Sequence, residues 1–184
     1  MARLDYVRES AGASEEAQLI FDEIIKLRGG VVNLYRILAN QPPALRAFMS
    51  MSRYIREDSS LPPQLRELAI LVTADVLNVE YERVHHRAAA RTAGVSEQKL
   101  EAIGTWRTSD VYTPAERAAM AYADQATRSR AIDDATMSAL LRHFSPQGVI
   151  DLAVTVAWYH FCAALIGPLG IELEDASRGG GSRS

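Results

Sequence analysis

Cysteine is almost missing from this chain: Cys162 is the only one in 184 residues. A single sulfur excludes an intrachain disulfide and a cysteine-only metal site. It also leaves no Cys-x-x-Cys pair for thiol–disulfide chemistry. Lysine is nearly as scarce. Lys26 and Lys99 are the only two among 20 basic residues, and neither sits in a distinctive motif that would mark a Schiff base. Charge of one sign is concentrated nowhere. The net charge is −3, with acids and bases interspersed, which leaves no basic surface for nucleic acid or an anionic membrane. Strand-type alternation is nearly absent. The opening residues MARLDYVRES lack an apolar signal core, so no secretory leader is read there, and the expected compartment is a reducing cytoplasm.

What is there is helix. With 48% hydrophobic residues, the chain has enough apolar surface for one domain over residues 1–176. An all-α bundle of about eight helices is expected. Gly29-Gly30 stop a first helix begun near Ser14, and Pro42-Pro43 open another that runs to about Arg56. Pro62-Pro63 introduce a helix to about Leu77, followed by one from Glu80 to Gly94 and a short one from Ser96. Thr113-Pro114-Ala115-Glu116 reads as a capping box with proline at the first helical position. Asp133 or Asp134 starts a further helix, and Ser145-Pro146 open the last, which Gly167-Pro168 close. The apolar run Leu152–Ile171 is long enough to span a membrane. His160, the Gly167-Pro168 breakers and the lack of flanking basic residues make it a buried core or subunit-interface helix instead. The tail 177–184 is rich in Gly, Ser and Arg and is expected to be disordered.

Two acids stand out on apolar helices. Glu67 lies in a helix whose other residues leave little polar surface. Either it is a helix-start acid paired with an arginine such as Arg66, or it is a partly buried carboxylate with a raised pKa that holds or relays a proton. Glu82 and His86 are four apart and share a helix face, with His85 next to them. A carboxylate one turn from an imidazole stabilises the imidazolium. The run Ala88-Ala89-Ala90 permits close packing behind that face. Glu82 and His85 also have the Glu-x-x-His spacing of di-iron bundles, but there is no second copy, so no metal is assigned. In Trp158-Tyr159-His160-Phe161-Cys162, Trp158 and His160 are candidates to line a pocket for a ring-shaped acid. An echo links Glu67-Leu68-Ala69-Ile70-Leu71-Val72 to Asp151-Leu152-Ala153-Val154-Thr155-Val156, each acid following a helix-opening proline.

The segment RELAILVTADVLNVEYERVHHRAAARTAGVS resembles the carboxymuconolactone decarboxylase and alkylhydroperoxidase D superfamily. The likeness is strongest over 61–103 and continues more weakly from Thr113 to Phe161, about two-thirds of the chain. It implies an alkylhydroperoxidase D-like (AhpD-like) all-α fold that assembles into trimers or hexamers. The peroxidase branch uses a glutamate, a Cys-x-x-Cys twelve residues later and a histidine four beyond the second cysteine. On this chain the glutamate falls on Glu67 and the histidine on His86, while the cysteine positions hold Val79 and Glu82. Both sulfurs are missing. Glu80-Tyr81-Glu82-Arg83-Val84-His85-His86 instead resembles the cysteine-free, decarboxylase-like branch, with Arg83 where that branch often has an aromatic residue.

The expected function is therefore that of a cofactor-independent lyase or isomerase on a small, carboxylated, cyclic compound. His86, Glu67 and Glu82 are the expected catalytic residues. Tyr81, Arg83, His85, Trp158 and His160 are expected to line the substrate site, with Arg83 or Arg87 holding a carboxylate. No cofactor, nucleic acid or membrane partner is expected, and the chain is expected to form a homo-oligomer. The alternatives are a non-catalytic ligand-binding oligomer, a metal-dependent enzyme using Glu82 and His85, and residual redox activity at Cys162.

Overall fold

A computed structural model describes residues 2–9 and 12–174; the expected disordered tail lies outside them. The described residues form nine α-helices and no strand. In order these are α1 (Glu15–Arg28), α2 (Asn33–Leu38), α3 (Pro42–Arg53), α4 (Pro63–Leu77), α5 (Glu80–Thr92), α6 (Glu97–Glu101), α7 (Pro114–Ser129), α8 (Asp134–Leu141) and α9 (Pro146–Leu169). A π-helical turn, Tyr54–Asp58, follows α3, and a 3₁₀ turn, Ala102–Thr105, follows α6. The all-α expectation holds, and the boundaries follow the local chemistry. Ser14 caps α1, and Gly29 closes it at φ +77°, where a side chain would be strained. The expected stop at Gly167-Pro168 falls within the last turn of α9.

The chain divides into two compact units. The first comprises residues up to Arg53 together with those from Leu165 onward. Its core is built from Ile20, Phe21 and Ile24 of α1, Leu34 and Tyr35 of α2, and Leu45 and Phe48 of α3. Arg28 donates to the Tyr35 hydroxyl at 2.7 Å and to Ser52 Oγ at 3.1 Å.

The second unit, Tyr54–Ala164, carries the expected site. Its central helix is α4, which packs chiefly against α5 and α7. Leu68, Ala69, Leu71 and Val72 of α4 meet Ala119, Met120 and Ala123 of α7, with Leu100, Leu140 and Leu152 completing the core. Helix α7 begins at the expected capping box. The Thr113 hydroxyl accepts from Glu116 N, and the Glu116 carboxylate accepts from Thr113 N at 2.8 Å. The same carboxylate takes Lys99 Nζ at 2.6 Å, which ties α6 to the start of α7. Thr113→Ala is expected to lower stability by about 0.5–2 kcal/mol, measured as a fall in the urea midpoint at unchanged slope.

Helix α9 is apolar enough, at 24 residues, to cross a membrane by length and composition alone. In the second unit one face of it is buried, through Asp151, Leu152, Thr155, Val156, Tyr159 and Cys162. The opposite face is open: Ile150 is 60% and Phe161 48% exposed. The sequence expectation of a buried core or subunit-interface helix thus has core burial on one face, with the other face open in the single chain.

Candidate active site

The stretch Arg66–Ala74 of α4 is buried throughout, so Glu67 is taken out of water by its own helix neighbours and what packs on them. Helix α4 closes on Asn78 in the left-handed conformation (φ +55°), which asparagine tolerates better than most residues. The chain reverses there and α5 returns along α4. On α5, Glu82, His86 and Ala90 recur every four residues and form the buried face. Two helices joined by a two-residue turn thus bring residues 67 and 86 together.

The contact is close. His86 Nδ1 lies 2.6 Å from Glu67 Oε2, and His86 Nε2 lies 3.3 Å from Glu82 Oε2. Arg66 Nε donates to Glu67 Oε1 at 3.2 Å. All four are buried: Glu67 is 1%, His86 4%, Glu82 5% and Arg66 8% exposed. With the imidazole protonated, two carboxylates face two cations and the cluster carries no net charge. That balance is what allows four ionisable groups to sit out of water.

Arg66 is held from its far side. Its Nη1 donates to the carbonyls of Ile55 and Arg56, at 3.4 and 3.2 Å. Both carbonyls belong to the π-helical turn, where Ser59 N reaches back five residues to Tyr54 O. Asp151 of α9 locks this segment. Its carboxylate accepts from the Tyr54 hydroxyl and the Ser60 hydroxyl, each at 2.5 Å, and from Ser60 N at 2.8 Å. The echo read in the sequence therefore appears as two buried acids with different tasks. Glu67 holds a histidine, and Asp151 holds the turn that braces Glu67's arginine.

Electrostatics reverses one sequence expectation. Burial alone pushes Glu67 up, as expected, but the hydrogen bond and charge of His86, with the charges of Arg56 and Arg66, bring its pKa below the ordinary value. For His86, burial disfavours the charged form. The Glu67 hydrogen bond and charge, then those of Glu82, outweigh it and raise its pKa. Glu67, more than Glu82, sets the state of this imidazole. The Cys162 thiol is pushed far up, first by burial and then by the Glu82 charge, so it is no thiolate nucleophile.

A pH dependence follows. His86, raised from 6.5, contributes stability that is complete below that value and is lost as pH rises through its folded pKa. Glu67, lowered from 4.5, contributes stability present above that value and lost as pH falls through its folded pKa. The pair's contribution is thus expected to be fullest between about pH 4.5 and 6.5, with Glu82, Arg66, Arg56 and Tyr159 as its charged and titratable surroundings. Melting temperatures across pH, compared with those of a Glu67→Gln, His86→Gln double variant, measure it. A flat difference between the two proteins excludes the effect.

The structure gathers some expected residues and not others. Glu67, Glu82 and His86 meet. Tyr81 is buried, with its ring 4.5 Å from that of His85. Arg83 is turned to other partners: it donates to Glu80 at 2.8 Å and Asn78 at 3.1 Å, and lies 3.6 Å from Asp75. The charge of Arg87 is felt at Glu97 and Tyr112. His160 Nε2 meets the Thr127 hydroxyl at 3.0 Å, with its pKa lowered by burial and then by Arg130. Trp158 stacks on Phe161 at 5.0 Å. Arg83, His160 and Trp158 are therefore not at the pair, because each helix turns them onto another face. No group of three His, Cys, Asp or Glu suited to a metal ion occurs among the described residues.

Sequence reasoning passed over Tyr159. Its ring stands edge-on to His86, with centroids 4.7 Å apart and an interplanar angle of 86°. The signal was available: Tyr159 shares the face of Leu152, Val156 and Cys162, seven, three and three residues away. Its neighbours Trp158 and His160 point elsewhere by about 100° each.

Comparison with known proteins agrees with this architecture. Residues 42–125 match the carboxymuconolactone decarboxylase family. An uncharacterized protein of Bacillus subtilis (strain 168), YdfG, is 24% identical over 117 residues, covering 62% of this chain and 79% of that one. Two solved structures share the fold at low identity. The debrominase Bmp8, as a cysteine-to-alanine variant in complex with 2,3,4-tribromopyrrole, has a TM-score of 0.82 at 22% identity and covers 97% of each chain. An AhpD-core, peroxidase-related protein from Ralstonia eutropha JMP134 has a TM-score of 0.82 at 21% identity, covering 95% of this chain and 93% of that one. This chain is thus similar to the carboxymuconolactone decarboxylase family over residues 42–125, and it has an AhpD-like all-α fold.

Proposed function

We propose that this protein is a cofactor-independent lyase or isomerase that performs decarboxylation-type acid/base chemistry on a small, carboxylated, cyclic compound. The observation that carries this reading is the buried contact of Glu67 with His86, backed by Glu82 on the second ring nitrogen. An imidazolium held between two carboxylates is a proton donor in a sheltered place. Glu67, the nearer partner, fixes the ring. The longer Glu82 contact favours Nε2 as the nitrogen that releases its proton to substrate.

In a decarboxylation the bond to the departing carboxylate breaks and carbon dioxide leaves. The electron pair stays as a dienolate. The proton on His86 Nε2 then moves to carbon, and the neutral imidazole, still bonded through Nδ1 to Glu67, regains a proton from solvent. The charge of Arg56 reaches Glu67, Tyr159 and Cys162, which suits Arg56 to a substrate carboxylate better than Arg83. A neighbour in fold that is held with 2,3,4-tribromopyrrole supports a small ring as the substrate type. A homo-oligomer, trimer or hexamer, working in the cytoplasm belongs to the same proposal, and the open apolar face of α9 favours association.

The test uses the purified protein in deuterated water with a panel of cyclic β-keto acids and unsaturated lactone acids. Carbon dioxide release, or deuterium at the carbon that loses it, is read by mass spectrometry. Activity that disappears in His86→Gln supports the proposal. Equal activity in both proteins sinks it, and binding without turnover in either moves the chain to the ligand-binding reading.

A further inference from the structure

Tyr159 is 6% exposed; its hydroxyl bonds no described residue and is not one of the buried unpartnered atoms, so its oxygen keeps contact with solvent. A phenol whose ring is buried while its oxygen reaches solvent is open to a partner that arrives from outside. Asp151, on the same buried face of α9, shows what the fold does when it needs a polar group for structure: three hydrogen bonds are made to it. Tyr159 receives none, although its ring lies against His86.

The chemistry of the group is narrow. Burial, reinforced by the Glu82 and Glu67 carboxylates and opposed by Arg56, holds its pKa well above the ordinary 10. It is therefore a neutral O–H at any physiological pH, a donor and not a base. Glu82 and Glu67 are the nearby acceptors, and both already face the imidazole. The phenol is left to serve an oxygen that arrives with a ligand.

The acid/base reading of His86 supplies the need for such a donor, and the inference rests on that reading. When carbon dioxide leaves, or a proton is taken from carbon, negative charge collects on the carbonyl oxygen conjugated with that carbon. The imidazolium cannot hold this oxygen, because Nδ1 is committed to Glu67 and the Nε2 proton is the one being moved. A second, fixed donor is required, and a preorganised donor at a developing oxyanion is a strong catalytic device.

We propose that Tyr159 is that donor: its hydroxyl hydrogen-bonds the carbonyl oxygen of the substrate while His86 Nε2 exchanges a proton at carbon. The role needs a substrate whose carboxylate-bearing carbon is conjugated with a carbonyl oxygen. The electron pair released on loss of carbon dioxide passes to the oxygen held by Tyr159. It returns to carbon when Nε2 gives up its proton. No oxidant or reductant is involved.

The test measures binding of 4-nitrophenol, whose phenolate carries an enolate-like oxygen and a visible band that reports its ionisation. Wild type, Tyr159→Phe and His86→Gln are compared near neutral pH by absorbance titration. Tyr159→Phe keeps the ring against His86 and removes only an oxygen that bonds nothing in the fold, so its urea midpoint is expected to equal that of wild type. Its affinity for the probe is expected to fall about 10- to 100-fold, the range for a hydrogen bond to a charged group. His86→Gln is expected to weaken the probe as well. Unchanged affinity in Tyr159→Phe with a loss in His86→Gln overturns the assignment of Tyr159 and leaves the acid/base pair standing. A probe that wild type does not bind, or that neither variant affects, overturns both. A lowered urea midpoint in Tyr159→Phe shows that the hydroxyl serves the fold, and likewise overturns the assignment.

Discussion

Replacing His86 with glutamine is expected to slow turnover of a true substrate by about 10²–10⁴-fold, the usual worth of a positioned proton donor. Glutamine still offers an amide N–H toward Glu67, although Glu67 and Glu82 lose the imidazolium charge, so a stability cost is expected beside the catalytic one. What it lacks is a proton that can be given away and regained. The loss is therefore expected in kcat, with KM little changed. The wild-type rate carries its own signature. If the imidazolium is the acid, decarboxylation falls as pH rises through the raised pKa of His86, and in His86→Gln that limb disappears. The ring meets Glu67 of α4, Glu82 of α5 and Tyr159 of α9, with Arg66 bonded to Glu67 and the charge of Arg56 felt at Glu67 and Tyr159. Glu67 dominates among them. A pH–rate profile whose falling limb persists in the variant assigns the titration to another group and removes His86 from the chemistry.

Glu67→Ala is expected to destabilise the protein by about 3–5 kcal/mol, the range for breaking a buried pair by removing one partner. The cost is not the worth of the contact itself. It arises because Arg66 and His86 remain behind, both buried, with Glu82 as the one carboxylate left against the imidazole. Burial then pushes the His86 pKa down with less to oppose it. Urea denaturation reads the stability change, and an NMR titration reads the imidazole. The chain has only four histidines, so the His86 signal is readily assigned from its absence in His86→Gln. A cost below about 1 kcal/mol, the level of an exposed pair, means that water reaches the cluster and the sheltered-site reading falls. Glu67→Gln keeps a hydrogen-bond acceptor for His86 and is expected to cost less than alanine.

The helices were legible because their ends are written in local chemistry. Glycine at the left-handed cap of α1, the Thr113–Glu116 box of α7 and the prolines that open α3, α4, α7 and α9 act within one turn of chain. The meeting of Glu67 with His86 was legible for a different reason. Glu82 and His86 share a face by spacing, and the superfamily resemblance placed Glu67 opposite them. The sign of the Glu67 shift was not legible. Residues one apart on a helix do not ordinarily face each other, yet Arg66 is long enough to curl back to its neighbour's carboxylate while the Ile55 and Arg56 carbonyls hold it. Those carbonyls lie in the π turn that ends the helical segment after α3, and no local motif announced that winding. The choice of Trp158 and His160 over Tyr159 failed by a single residue in helical phase. Chemical interest was read from residue type, while the periodicity of Leu152, Val156 and Cys162 already fixed which side chain of that run faces inward.

The hold on Arg66 has one more consequence. Its outer anchors are main-chain oxygens, which every amino acid supplies. Mutational drift at positions 55 and 56 can therefore alter what those side chains contribute without loosening the guanidinium, provided the unusual winding of that turn persists. The fragile element is the shape of the backbone, kept by the carboxyl of Asp151 from across the unit. A damaging change there would disarm the histidine while leaving every residue around its ring intact.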